Sequence, residues 1–319
     1  MDINHPVDLY DALVIGGGPA GLSAAIYLAR ACRSVAVIDC DRPGRSDWAQ
    51  VNHNYLGFPE GISIVELCTR GREQAERFGA SLHQTEVASL TQEEGLFKAC
   101  GPGLVLHGRA VVLATGVTDR WAEFPGYEDY IGRTMHWCIV CDGYEMQAQR
   151  VVVVGNDKNA AEMAMQMLGY TDHVILLTNS GALGLPQTTV RALDARGIRL
   201  VVGRIASARA KELGVFEVLH IEGGTEIELD HLFSAQGAEP NTALARALGV
   251  ELTTNGYIKV DVEAKTSVPG VFAAGDVTRL FSHQVVTAAH EGATAATAVD
   301  YYLFQLDQNA FQVGRARPE

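Results

Sequence analysis

The segment that most restricts the fold of this chain lies near its beginning. An apolar run at residues 12–15 leads into the sequence GGGPAG at residues 16–21, and an alanine-rich stretch follows at residues 22–31. A second apolar run at residues 35–38 ends at Asp39. This order predicts a strand, a tight glycine turn, a helix and a second strand, which together form one βαβ unit of a parallel sheet.

The glycine turn also predicts a ligand. In a G-x-G-x-x-G turn the first glycine permits a sharp bend, the second lets the backbone approach a pyrophosphate, and the third lets the helix pack closely on the strand. The start of the helix offers amide groups and the positive end of its dipole to phosphates. An acidic residue after the next strand can accept hydrogen bonds from an adenosine ribose, so we predict a dinucleotide site rather than a purely structural turn. The residues assigned to it are Gly16, Gly18, Pro19, Ala20, Gly21 and Asp39.

The strand–turn–helix plan recurs later in the chain. An apolar run at residues 151–154 turns at Gly155, continues as a helical pattern and returns as a strand at residues 173–177, while another run at 270–274 precedes an alanine-rich helix at about 285–302. With 319 residues, two domains are expected. We predict an α/β fold with two Rossmann-like nucleotide-binding domains, the second (118–245) inserted into the first (1–117 and 246–319). The stretch after residue 302 has no clear period and is expected to be a tail of uncertain order.

Two further glycine motifs favour a flavin. A strand at residues 110–113 ends in Ala114, Thr115 and Gly116, and the run at 270–274 ends in Gly275 and Asp276. An isolated Gly-Asp pair is most simply a helix cap. Three such motifs in this order match the adenine, pyrophosphate and ribityl parts of a flavin dinucleotide, so FAD is the most economical ligand.

The chain has six cysteines, and two of them, Cys138 and Cys141, form a C-x-x-C motif. Such a pair can close a small disulfide ring, and the local field can make one sulfur a reactive thiolate. A zinc knuckle would need a second pair or suitably spaced histidines, and the sequence has neither, so we predict a redox pair and no metal. Asp142 could pass a proton to or from a departing thiolate, or cap the next helix. His136 could bias the thiols electrostatically, or be merely solvated.

Several blocks together resemble the low-molecular-weight thioredoxin reductases over nearly the whole chain. The blocks are residues 16–21, 54–63, 138–143, 237–241, and 270–276 with 283–285. The resemblance implies a homodimer with one FAD per chain, whose dithiol exchanges electrons with the flavin and then with the disulfide of a thioredoxin-like protein. By the same analogy Cys141 faces the flavin and Cys138 attacks the substrate disulfide.

The resemblance also implies roles for other residues. Asn54 and Gln284, with the adjacent Val285, would contact the isoalloxazine region. Asp276 would contact the ribityl chain, and Asp142 would be the proton donor beside the thiols.

The second glycine turn departs from the family pattern. It has the sequence GNDKNA at residues 155–160, so Asp157 brings a side chain and a negative charge to the position where a pyrophosphate should approach. The arginine cluster that takes the 2′-phosphate of NADPH in the family is replaced by TNS at residues 178–180. Both changes make NADPH an improbable donor, and they resemble the deeply rooted, ferredoxin-type members that lack NADPH motifs.

Without a nicotinamide donor, three functions stay open: a reductase with another donor such as ferredoxin, an FAD-dependent oxidase that closes a disulfide in a small dithiol with oxygen, and a flavin redox sensor. Asp142 favours the reductase over the oxidase. The arginines that could attract ferredoxin are Arg30, Arg33, Arg42, Arg45, Arg70, Arg72 and Arg77.

Charge and hydropathy exclude other partners. The formal net charge of −13 opposes binding to nucleic acid or to an anionic membrane. No run approaches the ~20 apolar residues of a membrane span, and the first residues do not have the pattern of a signal peptide. We therefore expect a cytoplasmic protein.

Overall fold

The computed structural model describes residues 9–40 and 44–315, with side chains as far as residue 309. The strands are β1 Leu9–Ile15, β2 Val35–Asp39, β3 Val51–Asn52, β4 Ile62–Ser63, β5 Ser81–Gln84, β6 Ser89–Glu93, β7 Leu96–Gly101, β8 Leu104–Leu113, β9 Val117–Asp119, β10 Met135–His136, β11 Val151–Val154, β12 Val174–Leu177, β13 Arg199–Val201, β14 Ile205–Glu212, β15 Val215–Ile221, β16 Glu226–Glu228, β17 His231–Ser234, β18 Ala238–Pro240 and β19 Val271–Ala273. The helices are α1 Pro19–Arg30, α2 Ile64–Arg77, α3 Ile139–Asp142, α4 Lys158–Met167, α5 Gln187–Asp194, α6 Ala243–Ala247 and α7 Val285–Arg315.

Contacts divide the chain into two compact units. The first comprises Met1–Asp47, Val65–Thr118 and Pro240–Glu319, and the second comprises Trp48–Ile64 and Asp119–Glu239. The predicted α/β fold with one nucleotide-binding domain inserted into another is confirmed. The structure groups Trp48–Ile64 with the second unit, whereas the predicted first domain ran through residue 117, because Trp48 packs on Trp121 and Gln50 donates to Asp142.

The first unit is built on a seven-stranded sheet. Its order is β5-β2-β1-β8-β7-β6, with β19 also paired to β8. The strands β5, β2, β1, β8 and β19 run parallel, and β7 and β6 continue the sheet as an antiparallel meander. The apolar runs that predicted β1 and β2 are buried on both faces, as expected for parallel strands covered by other elements.

Alternate residues of this sheet enter two cores. Ala12 and Val14 pack with the alanine-rich faces of α1 and α7, and Leu13 and Ile15 pack on the opposite side of the sheet. The helices α1 and α7 approach so closely that a Cβ at Gly292 would lie 2.0 Å from the carbonyl oxygen of Ala20. The ends of the parallel strands and the start of α1 thus meet at one edge of the sheet.

The second unit contains a five-stranded parallel sheet and a three-stranded antiparallel sheet. The parallel order is β10-β17-β11-β12-β13, and the antiparallel order is β14-β15-β16. One face of the parallel sheet packs against α4 and α5, and the other packs with Phe216 and Leu219 of β15. Because β10 lies next to β17, the C-x-x-C motif that follows β10 is brought close to a strand from much later in the chain.

The end of the chain differs from the prediction. The expected helix over 285–302 instead runs as α7 to Arg315, so the predicted tail of uncertain order is wrong as far as that residue. Leu303 is fully buried and Tyr302 packs on Phe272, which explains why the helix continues. Among the described helices, none is both long and apolar enough to cross a membrane.

Candidate functional site

The first glycine turn has the geometry that the sequence predicted. Gly16 has φ +112°, and a Cβ there would lie 2.2 Å from the carbonyl oxygen of Ala114. A Cβ at Gly21 would lie 1.9 Å from the carbonyl oxygen of Gly16. Side chains are therefore excluded where the strand passes into α1. Pro19 occupies the start of α1, and no side chain of the described residues caps this helix at Gly18, so its first amides face outward from the turn.

The predicted sugar-binding acids lie in the same unit and pair with arginines. The Asp39 carboxylate ends β2 against Gly17 and accepts a hydrogen bond from Arg72 Nη2 at 3.2 Å. The Asp276 carboxylate, after Gly275 (φ +83°), accepts from Arg45 Nη1 at 2.8 Å. Neither acid is deeply buried. Both carboxylates can therefore exchange these partners for ligand hydroxyls.

Thr115 and Gly116 are hydrogen-bonded to Asn241, a residue for which the sequence predicted no separate role. The Thr115 hydroxyl donates to the carbonyl of Asn241 at 2.7 Å, and the Asn241 amide donates back to the carbonyl of Thr115 at 2.9 Å. The Asn241 N–H also donates to the carbonyl of Gly116. This ladder fixes the backbone after β8, where Gly116 has φ +63°.

Cys138 and Cys141 form a disulfide. Their Cα atoms are 5.2 Å apart, and the N–H of Cys141 donates to the Cys138 sulfur at 3.1 Å. Cys138 caps the short helix α3, so its sulfur meets the amide groups of the first turn. In the reduced protein this contact would stabilise a thiolate at Cys138, because an N–H donor favours the charged sulfur.

Asp142 is buried beside this pair. The residue is 8% exposed, and its carboxylate accepts long hydrogen bonds from the Gln50 amide, at 3.4 Å to both oxygens. The ring nitrogen Nδ1 of His136 lies 3.6 Å from Asp142 Oδ1. Asp142 does not cap the next helical turn through its side chain. Of its two predicted roles, the structure therefore removes capping and leaves proton transfer as a prediction.

His136 is also buried, at 6% exposed, so the expectation of a merely solvated histidine is wrong. Its Nε2 lies 3.0 Å from His231 Nδ1, and its ring packs on Phe233. In the parallel pair β10–β17, His136 is in register with Phe233, and His231 lies two residues earlier on the same face. Burial and, to a smaller extent, the neighbouring His136 lower the pKa of His231 to about 4, against the opposing effects of Asp230 and Asp142.

Three tryptophan rings are in contact with one another next to the dithiol segment. The ring of Trp121 meets Trp48 edge to face at 6.1 Å and Trp137 at 5.2 Å. Trp137 directly precedes Cys138. The contacts of Trp48 and Gln50 could not be predicted from the sequence, because both residues are far from their partners along the chain.

The second glycine turn is held by hydrogen bonds of its own side chains. The Asp157 carboxylate caps α4 by accepting the N–H of Ala160 at 2.9 Å. Asn156 bridges to the loop after β12, donating to the carbonyl of Ala182 at 2.9 Å and accepting the N–H of Gly184 at 2.7 Å. This helix start therefore differs from that of α1, which no described side chain caps.

The remaining predicted residues are divided between the units. Asn54 lies on an exposed loop of the second unit, in an open cleft formed by residues 53–59. Gln284 and Val285 lie at the start of α7 in the first unit, where the Gln284 carbonyl accepts the N–H of Ala288. Their predicted contacts with an isoalloxazine stay predictions. No cluster of three or more metal-ligating side chains occurs in the part of the chain that is described.

The first unit fits a flavin dinucleotide. A pyrophosphate requires a backbone that it can approach and free amides at a helix start. The backbone has no room for a Cβ at Gly16 and Gly21, and no described side chain caps the start of α1. The two polyols require carboxylates at strand ends, which Asp39 and Asp276 provide. FAD bound there supplies two-electron exchange with a dithiol. Two Rossmann-like units, one with this turn and one with a C-x-x-C disulfide, define the class of dinucleotide-binding disulfide oxidoreductases.

Comparison with known proteins identifies the family. The chain belongs to the pyridine nucleotide-disulphide oxidoreductase family, which matches residues 10–296. It is 34% identical over 322 residues to the thioredoxin reductase of Mycolicibacterium smegmatis, covering 94% of this chain and 98% of that protein. It is 33% identical over 309 residues to the NADPH-dependent thioredoxin reductase 3 of Arabidopsis thaliana, covering 92% of this chain but only 58% of the plant protein.

A solved structure agrees with these sequence matches. The crystal structure of HlmI matches with a TM-score of 0.87 and 29% identity, covering 99% of this chain and 98% of that one. The chain is therefore a thioredoxin reductase-like, FAD-dependent thiol/disulfide oxidoreductase. The sequence prediction of this family and enzyme class is confirmed.

Proposed function

We propose that this protein exchanges electrons between FAD, the Cys138–Cys141 dithiol and a thioredoxin-like disulfide without using NADPH as the donor. In this proposal residues 1–117 and 246–319 bind FAD, residues 118–245 carry the dithiol, and the working form is a homodimer. The protein would then resemble the deeply rooted, ferredoxin-type reductases that lack NADPH motifs.

The observation that carries the proposal is the hydrogen bond from Ala160 N–H to Asp157. A pyrophosphate would have to displace this carboxylate from the first turn of α4, and its charge would repel the phosphates. Releasing the cap would cost about 1 kcal/mol of helix stability. The uncapped start of α1 imposes no such cost, so the same chain supports dinucleotide binding at one turn and opposes it at the other.

The loop after β12 supports the same conclusion. In place of an arginine cluster it has Thr178, Asn179 and Ser180, and their polar groups hold the loop itself. Thr178 Oγ1 donates to the carbonyl of Ser180, and Asn179 Oδ1 accepts the N–H of Ile205. No positive charge is available among these three residues for a 2′-phosphate. The plant relative is named NADPH-dependent, and the different donor proposed for the present chain rests on this local chemistry.

Ferredoxin is a weaker candidate for the donor than the sequence suggested. Of the arginines that could form a basic patch, four pair with carboxylates of the same chain: Arg33, Arg45, Arg70 and Arg72. Arg30 lies over the ring of Phe78 at 4.8 Å, and Arg42 lies outside the described residues. Charges that are already paired attract an acidic partner less strongly.

The oxidase is the second candidate, and the same Asp157 cap favours it. A flavin without a nicotinamide donor can accept electrons from a small dithiol through Cys138 and Cys141 and pass them to oxygen. The two directions share the dithiol and differ in the final acceptor. Asp142, which directly follows Cys141, favours the reductase over the oxidase, so the reductase remains the first candidate.

An anaerobic titration tests the proposal. Purified holoenzyme should keep its visible flavin absorbance when micromolar NADPH or NADH is added, and should lose it with dithiothreitol. Rapid bleaching by NADPH would refute the donor part of the proposal while leaving the dithiol part intact. Oxygen consumption with a dithiol as the only reductant would select the oxidase.

Serine variants test the dithiol part. Cys138→Ser and Cys141→Ser should each abolish flavin reduction by dithiols and retain bound FAD. Cys32→Ser is the matched control, because Cys32 is an exposed free cysteine in the first unit and should be dispensable. Dithiol-driven reduction that survives both active-pair substitutions would contradict the mechanism.

A further inference from the structure

His136 precedes Cys138 by two residues and forms a pair with His231 that also faces Asp142, and the mechanism above does not use this pair. His136 Nε2 contacts His231 Nδ1 at 3.0 Å, and His136 Nδ1 is buried, faces Asp142 Oδ1 at 3.6 Å, and has no hydrogen-bond partner among the described residues. We propose that His231, His136 and Asp142 form a proton relay for the opening and closing of the Cys138–Cys141 disulfide. This inference rests on the dithiol chemistry proposed above.

The need for a proton follows from the exchange step. A thiolate of an external dithiol attacks Cys138, a new S–S bond forms, the Cys138–Cys141 bond breaks, and Cys141 leaves as a thiolate. The second external thiol then attacks the mixed disulfide and releases Cys138. Two electrons pass from the external dithiol to the cysteine pair, and the two protons of that dithiol are balanced by two protons on the cysteines.

Because of the position of Asp142, the proton must reach the departing Cys141 sulfur while the S–S bond breaks. Asp142 directly follows Cys141 and is buried. A thiolate that forms beside a buried carboxylate is disfavoured by like charge. A proton delivered through Asp142 as the S–S bond breaks removes that repulsion.

The geometry permits two proton arrangements. In the first, His231 Nδ1–H donates to His136 Nε2, and His136 Nδ1–H points at the Asp142 carboxylate. In the second, a proton has entered at the outer nitrogen of His231, each proton has moved one place along the chain of groups, and Asp142 carries a proton that faces His136 Nδ1. The two arrangements differ by one proton, which enters at His231 and is available at Asp142.

The outer end of the relay is suited to this exchange. His231 is only half-buried, unlike His136. Its pKa, lowered by burial to about 4, keeps the ring neutral at neutral pH, so it can pass a proton without retaining it. Arg150 holds the adjacent Asp230 at 2.9 Å, so that carboxylate does not take the proton. The charged or titratable groups around the pair are Asp142, Asp230, Arg150, Lys211, Cys138 and Cys141.

The test measures the opening of the disulfide directly. Oxidised holoenzyme is mixed rapidly with dithiothreitol, free thiols are trapped by alkylation, and mass spectrometry counts them over time. His231→Asn keeps a hydrogen-bonding atom near the position of Nδ1 but cannot pass a proton. We expect it to open about tenfold more slowly at neutral pH, less than the ~10²-fold or more of a direct general acid. His231→Gly should be equally slow and should recover when imidazole is added.

His220→Asn is the control, because His220 is a partly exposed histidine on β15 of the same unit that pairs with Glu226. In this variant the disulfide should open at the wild-type rate, and added imidazole should not change that rate. A wild-type rate in both His231 variants would overturn the relay, and so would a slow His231→Gly variant that imidazole fails to accelerate, since that result assigns His231 a structural role. Each electron pair that the dithiol passes to FAD restores the disulfide, so opening is counted as free thiols plus reduced flavin, which is followed by its absorbance in the same mixture. A wild-type disulfide that opens while the flavin stays oxidised would refute the proposed function, and the relay would still be judged from the thiol count.

Discussion

Replacing His231 with asparagine should change how the stability of the second unit depends on pH. The pKa of His231 is lowered from 6.5 to about 4, first by burial and then by the adjacent His136. The unfolded chain therefore binds a proton at this position at a higher pH than the folded chain does. The stability that comes from a neutral His231 is fully present above pH 6.5 and is lost as the pH falls through the folded pKa of about 4.

The magnitude follows from the size of the shift. A difference between 6.5 and about 4 corresponds to about 3 kcal/mol, at 1.36 kcal/mol for each pKa unit. Solvent screening at the partly exposed ring reduces this to about 2 kcal/mol. The stability of the wild type relative to His231→Asn should therefore fall by about 2 kcal/mol between pH 7.5 and pH 4, because the asparagine variant has no group to titrate there.

Tryptophan fluorescence provides the assay. The chain has three tryptophans, Trp48, Trp121 and Trp137, and all lie in the second unit, so urea unfolding followed by their emission reports on that unit. Unfolding free energies of wild type and variant are measured at several pH values, and only their difference is used. Carboxylates that titrate equally in both proteins then cancel.

His220→Asn serves as the reference substitution for the loss of a histidine elsewhere in the same unit. The measured quantity is the difference in unfolding free energy between the wild type and His231→Asn. If this difference is the same at pH 7.5 and pH 4, within about 0.5 kcal/mol, the reasoning is refuted. Such a result would mean that the folded protein accommodates a charged His231, and that the ring is more hydrated than its contacts indicate.

Two glycine substitutions test the first unit. Gly21→Ala would place a Cβ 1.9 Å from the carbonyl oxygen of Gly16, so the purified protein should contain little FAD, measured as the ratio of visible to ultraviolet absorbance; a full complement of flavin would contradict the proposed turn. Gly292→Ala would place a Cβ 2.0 Å from the carbonyl oxygen of Ala20 and should lower the unfolding free energy by about 1–3 kcal/mol. Gly181→Ala, which has open space around it, should show neither effect in the same assays.

The phosphate turn could be predicted from sequence because its requirements are local. Gly16 and Gly21 are fixed by contacts with the carbonyl oxygens of Ala114 and Gly16, and a side chain at either position would collide with backbone. The flanking apolar runs are long enough to indicate buried parallel strands. Spacing along the chain therefore carries nearly all the information about this turn. The ion pairs of Asp39 and Asp276 were not predicted, because their arginines come from separate segments.

The surroundings of Asp142 could not be predicted in this way. Gln50 is 92 residues away in the sequence, and His231 is 95 residues from His136. Only the parallel pairing of β10 with β17 places the two histidines on one face. A single histidine near a C-x-x-C is usually solvated, and nothing in the local sequence of His231 indicates that its ring would meet another histidine.

The two helix starts show why the same topology need not carry the same ligand. Both α1 and α4 follow a buried parallel strand and a glycine, and both offer amide groups at their first turn. At α1 no described side chain takes those amides, whereas at α4 the Asp157 carboxylate takes the N–H of Ala160. A carboxylate that satisfies the orphan amides stabilises the helix by the same interaction that a phosphate would use. In the proposed function, the change that opposes a nucleotide at α4 therefore also stabilises the fold, so that the loss of the site leaves intact the domain that carries the dithiol.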